Sequence, residues 1–189
     1  MSNLNIDLGY VKDALKTLLS THRYEHSIRV SHECFLLSKH YKIDDSQAVL
    51  VGLIHDAAKE MDVFQTDLNF TEFHTSIYKK YPAIGHAFVL DVVVPAYFKG
   101  IPSIIIQAAM WHTTGKAAMS DLEKIIFIAD FIEPKRSYKI RQMVYDLAYV
   151  SLEKAVFEIA CFKLNSLLGK RKSIYSMLVD CYNFYNYKR

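Results

Sequence analysis

The sequence predicts an all-α fold, and three observations predict it. Six glycines and four prolines among 189 residues leave little material for hairpin turns. Apolar residues recur three and four positions apart along most of the chain, the period of an amphipathic helix. Helix-start signals stand before two of the strongest runs: Asp44-Asp45-Ser46, and Ser120 with Glu123 three residues later.

In chain order, the first segment covers about residues 7–19 and sets Val11, Leu15, Leu18 and Leu19 on one stripe. The second, about 23–40, is expected to turn Ile28, Phe35 and Leu36 inward, with His26 one turn before Val30. The third runs over about 45–60 and contains the apolar run Ala48-Val49-Leu50-Val51-Gly52-Leu53-Ile54. A fourth covers about 70–80. A fifth begins near Pro82, a residue favoured in a first helical turn, and carries His86. The sixth, about 102–112, ends at Thr113-Thr114-Gly115. The seventh, about 120–132, opens on a capping box and stops at Glu133-Pro134, because a residue before proline avoids the helical region. Three more segments fill about 138–189. Their tail, 174–187, is rich in tyrosine and phenylalanine and reads as a packing helix, with a dimer seam as the alternative.

Hydrophobic residues make up 51% of the chain and charged residues 23%, enough apolar material for a core without a disulfide or metal staple. No repeat or low-complexity linker divides the chain. Residues 1–189 are therefore expected to form one domain, with a core of about 21–152 and packing helices over about 153–189. A net charge of +3 is too small to argue for nucleic acid, though it suits an anionic small substrate. Cys34, Cys161 and Cys181 form no CxxC pair and predict buried thiols in a reducing cytoplasm. The start, Met1 to Asp7, has neither the basic nor the apolar region of a signal peptide. Apolar stretches stop short of the ~18 residues a membrane span needs.

The chemistry lies where this pattern is broken. His55-Asp56 follows directly on an apolar run, and Asp130 interrupts Ile125-Ile126-Phe127-Ile128-Ala129 and Phe131-Ile132. Buried charges without partners are costly. One divalent cation shared with His26 would satisfy all of them, and an all-helical fold builds such a site by projecting side chains inward from several helices. Mixed nitrogen and carboxylate ligands suit iron, manganese, zinc, cobalt or nickel, and magnesium poorly. His86 and His112 are candidates for a second metal or for contact with substrate. Lys59, one turn beyond His55 and Asp56, adds positive charge where a phosphate could sit. His112-Thr113-Thr114-Gly115-Lys116 offers hydroxyls and a glycine turn to a phosphate, and Arg136 offers a planar fork near Asp130. Arg23, three residues before His26, could do the same or pair with Glu25. His22, His32, His40 and His74 have no such setting and read as surface or packing histidines.

The order His26, His55-Asp56, Asp130 resembles the HD superfamily of metal-dependent phosphohydrolases. The strings His22-Arg23-Tyr24-Glu25-His26-Ser27, His55-Asp56-Ala57-Ala58-Lys59, His112-Thr113-Thr114-Gly115 and Leu122 through Arg136 look like its YqeK-type branch, the bacterial symmetrical bis(5'-nucleosyl)-tetraphosphatases. The resemblance spans about residues 21–152 and implies a helical bundle with the metal site at its centre. It implies cleavage of diadenosine tetraphosphate into two ADP, by a metal-activated water attacking a central phosphorus at an iron-containing site. Carried over by position, His26, His55, Asp56 and Asp130 match metal ligands. Lys59, His86, His112, Thr113 and Arg136 match the nucleotide-phosphate side, with Thr114, Asp130 and Arg23 beside them. His55, Asp56, Lys59, His86 and His112 are the expected catalytic group. Trp111 stands where tyrosine is usual and Ala118 where glycine is usual. The substrate is then a nucleotide, with no nucleic acid or membrane partner and with a homodimer left open. One or two ions are compatible with the ligand set, and manganese or another transition metal is an alternative to iron. Tyr24, Phe127 and Phe131 are the aromatic candidates for stacking on adenine. The rival readings are an HD phosphatase or pyrophosphohydrolase acting on guanosine or deoxynucleotides, and a non-catalytic nucleotide-binding regulator.

Overall fold

Residues 6–187 are described in a computed structural model of the chain. Of Met1 to Asp7, the segment that lacks signal-peptide features, the first five lie outside the described residues. The described residues form α-helices with one short 3₁₀ turn and no strand: α1 (Leu8–Leu18), α2 (Thr21–Tyr41), α3 (Asp45–Ile54), the 3₁₀ turn Val63–Gln65, α4 (Glu72–Lys80), α5 (Pro82–Phe88), α6 (Leu90–Tyr97), α7 (Ser103–Met110), α8 (Asp121–Ile132), α9 (Arg141–Ala148), α10 (Leu152–Gly169) and α11 (Ser176–Asn186). The fold is all-α, as the sequence predicts. None of these helices is long and apolar enough to cross a membrane.

The caps are written in the sequence. Asp7, Ser20, Asp44 and Ser151 each accept a backbone N–H of the first turn. Ser120 and Glu123 complete the expected capping box at α8. A second box joins Thr71 and His74 at α4.

Helices α2, α3 and α8 pack together at the centre, with α10 behind α8. Val30, Cys34 and Leu37 of α2 meet Val51 and Ile54 of α3, Ile125, Ile128 and Ala129 of α8, and Val156, Ile159 and Ala160 of α10 in the core. The inward stripe of α2 differs from expectation. Ile28, Phe35 and Leu36 are only half-buried, while His26, Ser27, Val30, Ser31, Cys34, Leu37 and Ser38 are buried. Small residues decide this. A Cβ on Gly52 would stand 2.5 Å from the Ser31 Cα, so α2 and α3 touch backbone to backbone there. The Ser31 hydroxyl joins them by donating to the Val49 carbonyl at 2.8 Å.

Two boundaries also differ. The third segment leaves regular α-helix at Ile54 and continues through residue 60 as tight turns. After α5 a further helix, α6, runs to Tyr97 with Pro95 inside it, beyond a break at Val89. The tail packs as expected: Leu178, Cys181 and Tyr185 of α11 are buried, and the Tyr185 hydroxyl accepts the Met119 N–H at 2.9 Å. Cys34 and Cys181 are buried and Cys161 half-buried, and no disulfide joins them.

Candidate metal centre

Six side chains from five parts of the chain converge. His26 comes from α2, His55 and Asp56 from just beyond α3, His86 from α5, His112 from just beyond α7, and Asp130 from α8. Helix ends place two of them by one shared device. His55 donates Nδ1–H to the Gly52 carbonyl at 2.7 Å, and His112 donates Nδ1–H to the Ala109 carbonyl at 2.7 Å. In an uninterrupted helix those carbonyls would accept the amides of residues 56 and 113. The histidine takes the carbonyl instead, the chain tightens, and the ring is aimed.

These bonds fix the tautomers. With Nδ1 protonated, the Nε2 of His55 and of His112 carries a lone pair. His26 is set the same way, its Nδ1 donating to Glu133 Oε1 at 3.2 Å. The free nitrogens point at one another and at carboxylates. His26 Nε2 lies 3.3 Å from His55 Nε2 and 3.1 Å from Asp130 Oδ1. Asp56 Oδ2 lies 3.7 Å from His55 Nε2 and 3.8 Å from His26 Nε2. Its other oxygen, Oδ1, lies 3.1 Å from His86 Nε2 and 3.4 Å from His112 Nε2, and those two nitrogens are 3.2 Å apart. Lone pairs facing lone pairs and carboxylates repel without a cation between them. Donors ~2.1 Å from one ion stand about 3 to 3.5 Å apart, the spacing seen here except from Asp56 Oδ2, which stands slightly farther from His55 and His26. Two overlapping groups have this character, His26–His55–Asp130 and His55–Asp56–His112. The donor set fits a divalent cation, and the Asp56 carboxylate faces both halves of the cage.

Burial and charge shape the cage further. Burial pushes His55 down to about 3 and His86 down to about 4, so both rings are neutral donors at neutral pH. Burial alone would raise Asp56, but the facing ring nitrogens of His55, His112 and His86 hold it well below the usual carboxylate range. Asp130 is likewise held low, against burial, by His26 and Arg136.

Cations ring the cage. Arg136 pairs with the Asp130 carboxylate, donates Nε–H to the Asp130 carbonyl at 2.9 Å, and turns Nη2 toward His26 Nε2 at 3.4 Å. Arg23 stands 3.3 Å from Asp56 Oδ2, not on Glu25. The Lys59 ammonium lies along the edge of the His86 ring, 3.3 Å from Nδ1, and 3.4 Å from the Ala83 carbonyl. Thr113 and Thr114 follow His112 in the turn, and the hydroxyl of each is buried without a hydrogen-bond partner among the described residues.

Every charged and histidine candidate named from the sequence therefore lies in or beside this cage, whereas the hydroxyls of Thr113 and Thr114 are both buried in the turn that follows His112. The aromatic candidates divide. Phe127 is fully buried, and Phe131 is buried with its ring stacked on Tyr138 at 4.6 Å, so neither can meet adenine, whereas Tyr24 is half-buried. The apolar face of α8 that carries them belongs to the core. His22, His32 and His40 are exposed, and His74 is a packing histidine that accepts the Thr71 N–H at 3.1 Å.

Two participants escaped sequence reasoning. Glu133 is buried and accepts from His26, from Arg29 Nε at 2.7 Å and from the Lys135 N–H at 2.9 Å. Glutamate before a proline reads as a helix end, and only its burial gives it away. Lys163 of α10 donates to the Thr113 carbonyl at 2.8 Å. Its signal was present in the sequence: it falls on the apolar stripe of its helix, where an aliphatic residue is expected.

Residues 23–135 match the HD domain family. The chain is 32% identical over 187 residues to a Staphylococcus aureus protein named symmetrical bis(5'-nucleosyl)-tetraphosphatase, covering 96% of each. A Halalkalibacterium halodurans protein of the same name is 33% identical over 184 residues, covering 93% of this chain and 95% of that one. In shape the chain matches a Clostridium acetobutylicum protein, described as a predicted HD superfamily hydrolase involved in NAD metabolism. The TM-score is 0.81 at 23% identity, over 97% of this chain and 98% of that one, and this likeness concerns the fold alone.

Proposed function

Because the chain belongs to the HD domain family, we propose that it is a metal-dependent hydrolase that cuts diadenosine tetraphosphate, and related dinucleoside polyphosphates, symmetrically, giving two ADP from the former. The names of the full-length relatives support the substrate. The observation that carries the reading is the cage itself: three histidines whose Nδ1–H groups are tied back, leaving Nε2 lone pairs aimed at two carboxylates.

His26, His55, Asp56 and Asp130 would hold the first ion. His86 and His112, facing the second oxygen of Asp56, would hold another. Iron is the assignment that the family resemblance supports, and manganese suits the same donors. Bound there, the cation supplies an acidified water and a Lewis acid for the phosphoryl oxygens.

The chain's own residues do the rest. Arg136, Lys59 and Arg23 surround the cage and receive the charge that spreads over the phosphoryl oxygens as the bond breaks. Arg136 is fixed on Asp130 by its Nε and Nη2, which leaves the rest of its fork for phosphate. Lys59 sits at the His86 edge, where a departing ADP phosphate would gather negative charge. Burial keeps His86 neutral, which favours a nitrogen donor over a proton donor at that position. The Thr113 hydroxyl, buried without a partner, completes the phosphate side. We take the whole chain as one cytoplasmic domain acting on a nucleotide, with self-association to be measured rather than assumed.

Product analysis tests this. The purified chain is incubated with diadenosine tetraphosphate, with and without added iron or manganese. ADP as sole product, dependent on metal and lost in His55→Ala and Asp130→Ala, is the expected result. AMP plus ATP would move the attack to an outer phosphorus. Turnover that survives without metal would overturn the reading.

A further inference from the structure

Helix α10 buries Leu152, Ala155, Val156, Ile159 and Ala160 along one stripe. The next position on that stripe is Lys163, which remains partly exposed. Its ammonium donates to the Thr113 carbonyl at 2.8 Å and lies 3.5 Å from the His112 carbonyl. It stands over the Phe127 ring, 4.3 Å from the centroid. An ammonium has three donors, and the carbonyls use at most two. Among the described residues no carboxylate lies within ion-pair distance of it, although every arginine of the cage has one. The hydroxyl of that same Thr113 is buried and has no hydrogen-bond partner among the described residues.

An uncompensated cation on an apolar stripe is costly to keep. Burial pushes the Lys163 ammonium down to about 8, which leaves it mostly charged at neutral pH. Its location gives that cost a use. Phe127 is one helical turn, about 5 Å, from Asp130 on α8. The charge is within electrostatic reach of Asp130, Arg136 and Lys59. It reaches the site from a helix that supplies none of the cage's donors.

We propose that Lys163 is a phosphate-binding residue of this site, receiving the polyphosphate chain of the nucleotide together with the Thr113 hydroxyl. The proposal rests on the hydrolase reading above and adds a contact to it. An anionic phosphoryl oxygen takes the third ammonium donor and the orphaned hydroxyl in one group and supplies the missing counter-charge. The competing role is a strut, in which Lys163 only holds the His112-Thr113 carbonyls in place.

Calorimetric titration of the full chain loaded with Mn²⁺, using ADP as the probe, separates the two. Lys163→Met should weaken ADP binding about ten- to a hundredfold, the loss of one charge-assisted hydrogen bond in a site shielded from water. Mn²⁺ affinity should stay within about twofold, and the melting temperature of the nucleotide-free protein should be unchanged or higher. Lys163→Arg should recover part of the ADP affinity. Thr113→Val should weaken ADP binding several-fold, and this second variant carries the test if Lys163→Met does not fold. ADP affinity unchanged in the folded variants overturns the proposal. So does a loss of ADP affinity that appears only with an equal loss of Mn²⁺ affinity and a lower melting temperature, which is the strut. A wild-type chain that binds Mn²⁺ but no ADP overturns the hydrolase reading along with it.

Discussion

Replacing Glu133 by glutamine isolates the hydrogen bond that aims His26. The carboxylate accepts three N–H groups, from His26 Nδ1 at 3.2 Å, Arg29 Nε at 2.7 Å and the Lys135 amide at 2.9 Å. Glutamine keeps the shape but loses the charge and one acceptor oxygen. Changes to such outer partners of a ligating histidine typically reduce metal affinity about 10- to 100-fold, or about 1.4–2.7 kcal/mol. The cost to folding should be smaller. Arg29 keeps 19% of its side-chain surface exposed, so water screens the lost pair and about 1 kcal/mol is expected. That corresponds to a fall of about 2–4 °C in melting temperature. Burial works to raise the Glu133 carboxyl, but Arg29, the Lys135 amide and His26 hold it below its ordinary value. Its stabilisation is therefore present above the ordinary carboxylate range and fades as pH falls through the lowered value, so wild type and variant should converge in stability in acid. Calorimetric Mn²⁺ titration at neutral pH, paired with thermal melts of the metal-free proteins, provides both numbers. An affinity within about twofold of wild type, in a variant that melts normally, would refute the orienting role.

Three further outcomes are expected. Gly52→Ala puts a methyl 2.5 Å from the Ser31 Cα, where neither backbone can yield, and should cost about 2–3 kcal/mol in denaturant unfolding and weaken Mn²⁺ binding, since His26 and His55 ride on the two helices pushed apart; unchanged stability would contradict the close approach. Ala118 is exposed at φ +50°, the left-handed conformation glycine tolerates, so Ala118→Gly should gain about 0.5 kcal/mol once the added freedom of the unfolded chain is set against the relieved strain, and a lower melting temperature would count against this. Glu33 is buried with Oε2 unbonded, and burial raises its carboxyl above the ordinary value. An acid raised on folding costs nothing when protonated in both states; it begins to destabilise as pH climbs past its ordinary unfolded value, and the cost is complete above its raised folded value. Glu33→Gln should therefore stabilise the protein by about 1 kcal/mol at pH 7 and by nothing near pH 3, and equal gains at both would show that ionisation is not the cause.

The site was more legible in the sequence than the packing around it. His55-Asp56 and Asp130 stood out because they follow or interrupt apolar runs, and that conflict is visible in one dimension. Glu133 was hidden because its neighbour Pro134 offered a local reason for the helix to stop, and nothing local reports that its partner is on α2. Lys163 was hidden because one lysine on a long apolar stripe looks like a helix turning its edge to solvent. The face of α2 was misjudged for a different reason. Ser27, Ser31 and Ser38 count as polar in any periodicity, yet all three are buried, and at Ser31 the small side chain is where α3 approaches closely. The end of α3 was placed too late because the helix yields to a side-chain bond from His55, which propensity does not contain. Ala118 is the reverse case: the departure from the family's glycine was visible, and the structure supplies its meaning as a left-handed turn kept by the wrong residue.

The way the three tied histidines are held also sets when each becomes available. His55 and His112 answer to a carbonyl three residues back, so their rings can be oriented as soon as a single turn of helix exists. His26 answers to Glu133, 107 residues farther along the chain, and must wait until that loop has closed. During synthesis and early folding the chain thus offers separate, singly aimed nitrogens that bind metal weakly. At the proposed site, tight capture of an ion would be deferred until that long-range contact forms, which would make metal uptake a late event and the mark of a completed fold.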